Sequence, residues 1–158
     1  MGAHGFYTGQ EGHVVNILPP QDVAAGVSSD VFSTGKYAHV TIIVQAGSTN
    51  ADAGNVTVEE CDNFTPTTHT EIAFSYFAET TNAGDTLSGL TAATTAGIDV
   101  SANDNIMYVI EIDAAQLTDG YKNLRISWSA CGGATLGSAV AILSGARYAR
   151  DQTQTEIA

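Results

Sequence analysis

Ten residues, Tyr37–Ala46 (YAHVTIIVQA), restrict what this chain can fold into more than any other stretch. Val40, Thr41, Ile42, Ile43 and Val44 are all branched at Cβ, and Gly35 and Gly47 bound the run. Branching stiffens χ1 and disfavours helix, and the run is short, so it predicts a mostly buried strand. The GSTNADAG that follows supplies residues that accept positive φ or hydrogen-bond their own backbone in turns. Asn55–Cys61 (NVTVEEC) then places Val56 and Val58 on one face and Thr57 and Glu59 on the other. The two segments are expected to pair as a β-hairpin, which needs further strands before it is stable in water.

The rest of the chain supplies them. Residues 21–32 read as a strand pair broken at Gly26, and residues 71–77 (EIAFSYF) put Ile72, Phe74 and Tyr76 on one face. Residues 78–99 are rich in Thr, Ala and Gly and read as a long loop holding one or two short strands. Ile106–Asp113 alternates, and residues 114–117 allow one helical turn. In residues 122–130, Leu124, Ile126 and Trp128 point in while Asn123, Arg125, Ser127 and Ser129 point out. Residues 136–144 form the last long strand, their alanines leaving a short helix as the alternative. Seven to nine strands at this spacing predict an all-β sandwich, with a jelly roll of about eight strands preferred over a simpler sandwich.

Residues 1–20 differ from this pattern. Gly2, Gly5, Gly9 and Gly12 break any helix, and Pro19-Pro20 ends the segment in extended geometry. Phe6, Tyr7, Val14, Val15, Ile17 and Leu18 are too apolar for a solvated tail. The segment therefore reads as an extended arm lying on its own domain or on a neighbouring subunit. The chain divides into this arm (1–20), a β-sandwich domain (21–150) and a polar, frayed C-terminal tail (151–158).

Five Lys and Arg against 17 Asp and Glu give the 158 residues a formal charge of −12. A surface that acidic repels phosphate backbones and anionic bilayers, which argues against nucleic-acid and membrane partners. Lys122, Arg125, Arg147 and Arg150 fall in the last third and offer a local ionic contact to an acidic neighbour, such as another copy. The N-terminus has no basic start and no apolar core, and Phe6 stands where a myristoylation signal needs Ser or Thr. Cytosolic synthesis is the expectation. That compartment favours two free thiols at Cys61 and Cys131 over a bridge across the sandwich, and two cysteines make no zinc site.

The candidates for chemistry are few. His39, His69 and Glu71 could be imagined around a metal, but no HxH or HExxH spacing supports them, and rim histidines are preferred; His4 and His13 lie in the arm. Glu59-Glu60-Asp62 and Glu111/Asp113 would serve a glycosidase only if they faced each other across a cleft, and the solvated faces of strands explain them better. The oxygen-rich turns Asp99/Asn103/Asp104/Asn105 and Asn50/Asp52/Asn55 could hold Ca²⁺, yet turn chemistry accounts for both. Tyr37, Tyr76, Tyr108, Tyr121 and Trp128 could stack sugars, but most alternate into the expected core. There is no nucleophile elbow, phosphate loop or dinucleotide fingerprint. No catalytic, cofactor or metal residue is assigned, and an enzyme is not expected.

The order of segments is itself informative. An arm ending Pro-Pro leads to YAHVTIIVQAGSTNADAGNVTVEECDNF, then a Thr-rich middle, NIMYVIEIDAAQLTDGYKNLRISWS and AVAILSGARYAR. From about Val14 to Arg150 this resembles small virion structural proteins of tailed bacteriophages, most specifically in VTVEECD, VIEIDAAQL and AILSGARYAR. The resemblance implies a capsid decoration (cement) protein, made in the host cytoplasm and bound as a small homo-oligomer, a trimer favoured, to the major capsid protein on the outer head surface. Neck, tail and head-spike proteins are alternatives of the same kind. A carbohydrate-binding or adhesin-like sandwich is the rival of another kind. With a decoration role, Phe6, Tyr7, Ile17, Leu18, Arg147 and Arg150 are the expected subunit or capsid interface.

Overall fold

The computed structural model describes residues 5, 7–47, 54–101, 104–147 and 155–157. A single-turn helix, α1 (Thr8–Glu11), leads into twelve strands. These are β1 (His13–Asp22), β2 (Val27–Ser28), β3 (Phe32–Ser33), β4 (Tyr37–Ala46), β5 (Asn55–Cys61) and β6 (His69–Ile72). They continue with β7 (Phe74–Ala78), β8 (Thr91–Ala93), β9 (Ile98–Asp99), β10 (Ile106–Asp113), β11 (Asn123–Trp128) and β12 (Leu136–Ala146). A 3₁₀ turn at Ala114–Gln116 follows β10, its Asp113 and Gln116 capping each other reciprocally.

The strands form two antiparallel sheets of six. The first runs β1-β12-β4-β10-β7-β8. In the second, β11 pairs with β5 on one side and with β2 and β3 on the other, while β6 and β9 share the far side of β5. Taking β2/β3 and β6/β9 each as one interrupted strand leaves eight positions in chain order. Four fall in each sheet: β1-β12-β4-β10 against β2/β3-β11-β5-β6/β9. That is the strand order of a jelly roll, as the sequence pattern predicted. The pair β7–β8 is an insertion that widens the first sheet.

One residue moves the chain between sheets at that insertion. Ile72 ends β6 in the second sheet and Phe74 begins β7 in the first, with Ala73 between them. The predicted alternation still holds, because Ile72, Phe74 and Tyr76 all reach the shared core.

The core is the set of inward residues from both sheets. Val40, Ile42 and Val44 face Val56, Val58, Leu124 and Ile126, all fully buried, and Trp128 fills one end. Gly137 of β12 lies under that indole: a Cβ there would sit 2.5 Å from Cζ3 of Trp128. Only glycine lets the two sheets approach this closely at that point.

Three expectations are corrected. Tyr37–Ala46 and Asn55–Cys61 are not a hairpin: β4 already has β12 and β10 on its two edges, so β5 joins the other sheet. The arm is not an appendage from His13 onward, because β1 is the outer strand of the first sheet. Its register slips between Asn16 and Leu18, where two steps on β1 oppose one on β12. That bulge turns adjacent Ile17 and Leu18 both inward, 1% and 2% exposed. They belong to the chain's own core and not to an interface, and deleting residues 1–18 would remove a core strand. Finally, residues 155–157 are docked: Glu156 is buried on Lys36 (2.8 Å), and Ile157 bridges Phe32.

Candidate functional site

Each cluster of polar side chains named above resolves into contacts within the sandwich. Glu59, on the outward face of β5, is buried and accepts from Arg125 Nε across the β5–β11 pair. His69 Nδ1 lies 3.2 Å from the same carboxylate oxygen. Glu60 points the other way and accepts the Thr118 N–H at 2.8 Å. Asp62 caps the 63–68 loop: the Thr67 hydroxyl, then the backbone N–H groups of Thr68, Asn63 and Thr67, hold its carboxyl below the usual range. The three neighbouring carboxylates thus share no partner with one another.

The first sheet carries the second cluster. His39, the third residue of β4, lies opposite Asp113 of β10 and opposite Ser144 of β12. Its Nδ1 lies 2.8 Å from Asp113 Oδ1 and its Nε2 2.7 Å from Glu111 Oε2, which also accepts from Thr41 Oγ1 at 2.8 Å. A neutral imidazole has one N–H and cannot donate at both nitrogens, so this geometry calls for the imidazolium. Partial burial of the ring opposes the charge, but hydrogen bonds to Asp113 and Glu111 outweigh it and raise the pKa. His39 and His69 therefore lie in different sheets on different carboxylates, and the imagined His39/His69/Glu71 metal set is not assembled. Glu59 and Glu111, on different sheets, do not face each other across a cleft.

The remaining candidates fall as follows. Tyr37, Tyr108 and Trp128 are buried, at 2%, 3% and 1% exposure, so packing and not sugar stacking accounts for them. Asp99 accepts the Ser101 N–H in a local turn that lowers its pKa; Asn103, Asn50 and Asp52 lie outside the described residues. Cys61 and Cys131 lie at opposite ends of the β5–β11 pair and form no disulfide with each other, and burial pushes the Cys61 thiol up to about 11. Of the expected interface, Phe6 and Arg150 lie outside the described residues, Tyr7 is 55% exposed, and Arg147 donates Nε to the Tyr37 carbonyl at 3.1 Å.

Sequence reasoning missed one feature. A cleft of about 680 Å³ opens at the end of the first sheet, lined in part by Pro20, Gln21, Gln45, Glu79, Met107 and Leu136. Glu79 Oε2 there accepts the Met107 N–H at 2.8 Å. Its walls come from five separated segments, so no local motif announces it.

No protein-family model matches the chain, and no curated protein matches it. Among solved structures it is similar to the crystal structure of the SPBc2 prophage-derived protein YomS. The alignment covers 83% of this chain and 92% of the other, at 11% identity and a TM-score of 0.42. Among the described residues, no helix is long and apolar enough to cross a membrane.

Proposed function

We propose that this chain is a structural protein of a tailed-bacteriophage virion, acting as a decoration (cement) protein on the outer head surface. The observation that carries the reading is where the resembling segments fall. VTVEECD forms most of β5 and its exit, VIEIDAAQL takes the second half of β10 and the 3₁₀ turn, and the first six residues of AILSGARYAR end β12, its last three lying outside the described residues. These strands sit at or beside the centre of the two sheets, so the resemblance follows the framework of the fold. The acidic side chains they bring together are held by Arg125, His39 and a backbone N–H, which suits a supporting role better than a reactive one.

On this reading the partners are the major capsid protein and further copies of the chain, as a small homo-oligomer. The net charge of −12 keeps free subunits soluble. The test is to delete the gene and compare heads by immunogold labelling and by heat-induced DNA release. Label on wild-type heads, with earlier release from mutant heads, supports decoration. Label confined to the neck, tail or spike moves the protein to that site, and no label on particles overturns the virion role. The cleft beside Gln45 and Glu79 favours a second reading, a carbohydrate-binding module. A glycan array read with wild type and Gln45→Ala tests it, and binding that the variant loses would support this second reading.

A further inference from the structure

The cleft at the end of the first sheet has a floor that the strand register defines. Ser138 of β12 lies opposite Gln45 of β4, and Gln45 lies opposite Met107 of β10. Glu79, just past β7, comes next: its N–H donates to the Met107 carbonyl at 2.9 Å, and its Oε2 accepts the Met107 N–H. Neighbouring strands about 4.8 Å apart make this a row roughly 14 Å long. At about 680 Å³ the cleft falls within the range of about 300–1,000 Å³ that small organic ligands occupy.

Its rim is strained. Ala83 and Asn105 are the two non-glycine residues with positive φ among the described residues, at 49° and 54°, and both line this cleft. The Ala83 N–H donates to the Asn105 carbonyl at 3.0 Å, and the Asn105 N–H to the Gly47 carbonyl at 2.8 Å. A left-handed alanine carries a steric cost that no side-chain hydrogen bond offsets. Such conformations persist where the surrounding structure fixes them, and they concentrate at ligand clamps.

The lining selects the chemistry of a ligand. It contains no Lys, Arg or His, so phosphorylated and carboxylated molecules find no counter-charge there. The one carboxylate, Glu79, already has an oxygen engaged by the Met107 N–H. The Gln45 carboxamide and the Ser138 hydroxyl can each donate and accept, and neither side chain makes a hydrogen bond among the described residues. Hydroxyl groups of a ligand match that double capacity. Met107 and Leu136 offer apolar surface to ring carbons, and no aromatic side chain lines the cleft, so stacking is not what holds the ligand.

We propose that this cleft binds an uncharged oligosaccharide along the row Ser138, Gln45, Met107 and Glu79. The proposal rests on the carbohydrate reading of the cleft, which it narrows, and is independent of the virion reading. The experiment is amide NMR of the full chain, titrated separately with maltotriose, cellotriose, triacetylchitotriose, sialyllactose and spermidine. Wild type is compared with Gln45→Ala and Ser138→Ala, and the spectra themselves show whether each variant is folded.

At least one of the three uncharged sugars is expected to give saturable shifts centred on Gln45, Met107 and Ala83. Gln45→Ala should weaken that binding about tenfold, and Ser138→Ala decides alone if Gln45→Ala fails to fold. No binding by any uncharged sugar overturns the proposal, and so does unchanged affinity in a folded variant. Tighter binding of spermidine in the cleft overturns the ligand class. Sialyllactose preferred in the cleft, or sugar shifts centred elsewhere on the chain, overturns the proposal while leaving the chain a carbohydrate binder. Silence from all four sugars removes both readings.

Discussion

The outward faces of the two sheets solve the same problem in opposite ways. On the second sheet, Ser28, Ser127 and Thr57 form one row and Arg125, Glu59 and Glu71 the next, and both rows are polar. On the first sheet the matching central row is Val140, Ile43, Val109 and Phe77. The ion pairs differ in the same sense. Arg125–Glu59 is nearly buried, with 15% and 5% side-chain exposure, whereas the ring of His39 is a third exposed. The second sheet has thus placed a permanent charge pair where water is excluded, and the first a titratable cation where water can reach it. One outward face holds its charges in a buried, fixed pair, and the other leaves an apolar row and a titratable cation partly exposed.

The largest effect should follow from breaking the buried pair. Arg125→Ala leaves the Glu59 carboxylate with only the partly exposed His69 beside it. An uncompensated buried charge costs about 3–5 kcal/mol, so a urea titration should show a loss in that range. The double replacement Arg125→Met with Glu59→Leu should recover most of it, since apolar pairs of similar volume often match buried ion pairs. A double variant as unstable as Arg125→Ala would mean that the pair does more than cancel its own desolvation.

Gly137→Ala probes whether the two sheets melt as one unit. The added methyl meets the ring of Trp128, which is fully buried and cannot swing aside. Overpacking of that kind costs about 1–3 kcal/mol. The loss should appear equally in Trp fluorescence, which reports the second sheet, and in far-ultraviolet circular dichroism, which reports both. Separated transitions would show that the sheets are not cooperative.

Much of this fold is legible in local pattern. The alternation of Leu124, Ile126 and Trp128 marks β11, and the branched run of β4 marks a central strand, because burial of one face leaves a period of two in the sequence. Sheet membership is not legible there. Nothing in GSTNADAG distinguishes a hairpin turn from a crossing between sheets, since the same residues serve both. The bulge at Ile17 is hidden for a related reason: two adjacent inward residues look like a break in alternation, so the outer strand reads as an arm. The histidine cluster was half visible. Glu111 and Asp113 are two apart and must share a face, but that His39 sits between them follows from the β4–β10 register, which is set by contacts far apart in the chain.

The smallest effect should also be the one that separates the two faces most cleanly. The folded pKa of His39 is raised above its unfolded value near 6.5, so its stabilisation is complete below about pH 6.5. It is lost as pH rises through the folded pKa, because the imidazole that remains turns a lone pair toward one carboxylate. For a pair this exposed the amount is under about 1 kcal/mol. His39→Gln should therefore differ from wild type at pH 6, by a small shift in urea midpoint, and approach it by pH 9. Proton NMR of the ring should show the matching titration, and Glu111→Gln should move it to lower pH. Arg125→Ala, whose guanidinium keeps its proton throughout, should show no convergence toward wild type over that interval. If His39→Gln shifted stability equally at both pH values, the ring would be acting by packing and not by charge, and the contrast between the two sheets would reduce to one of depth.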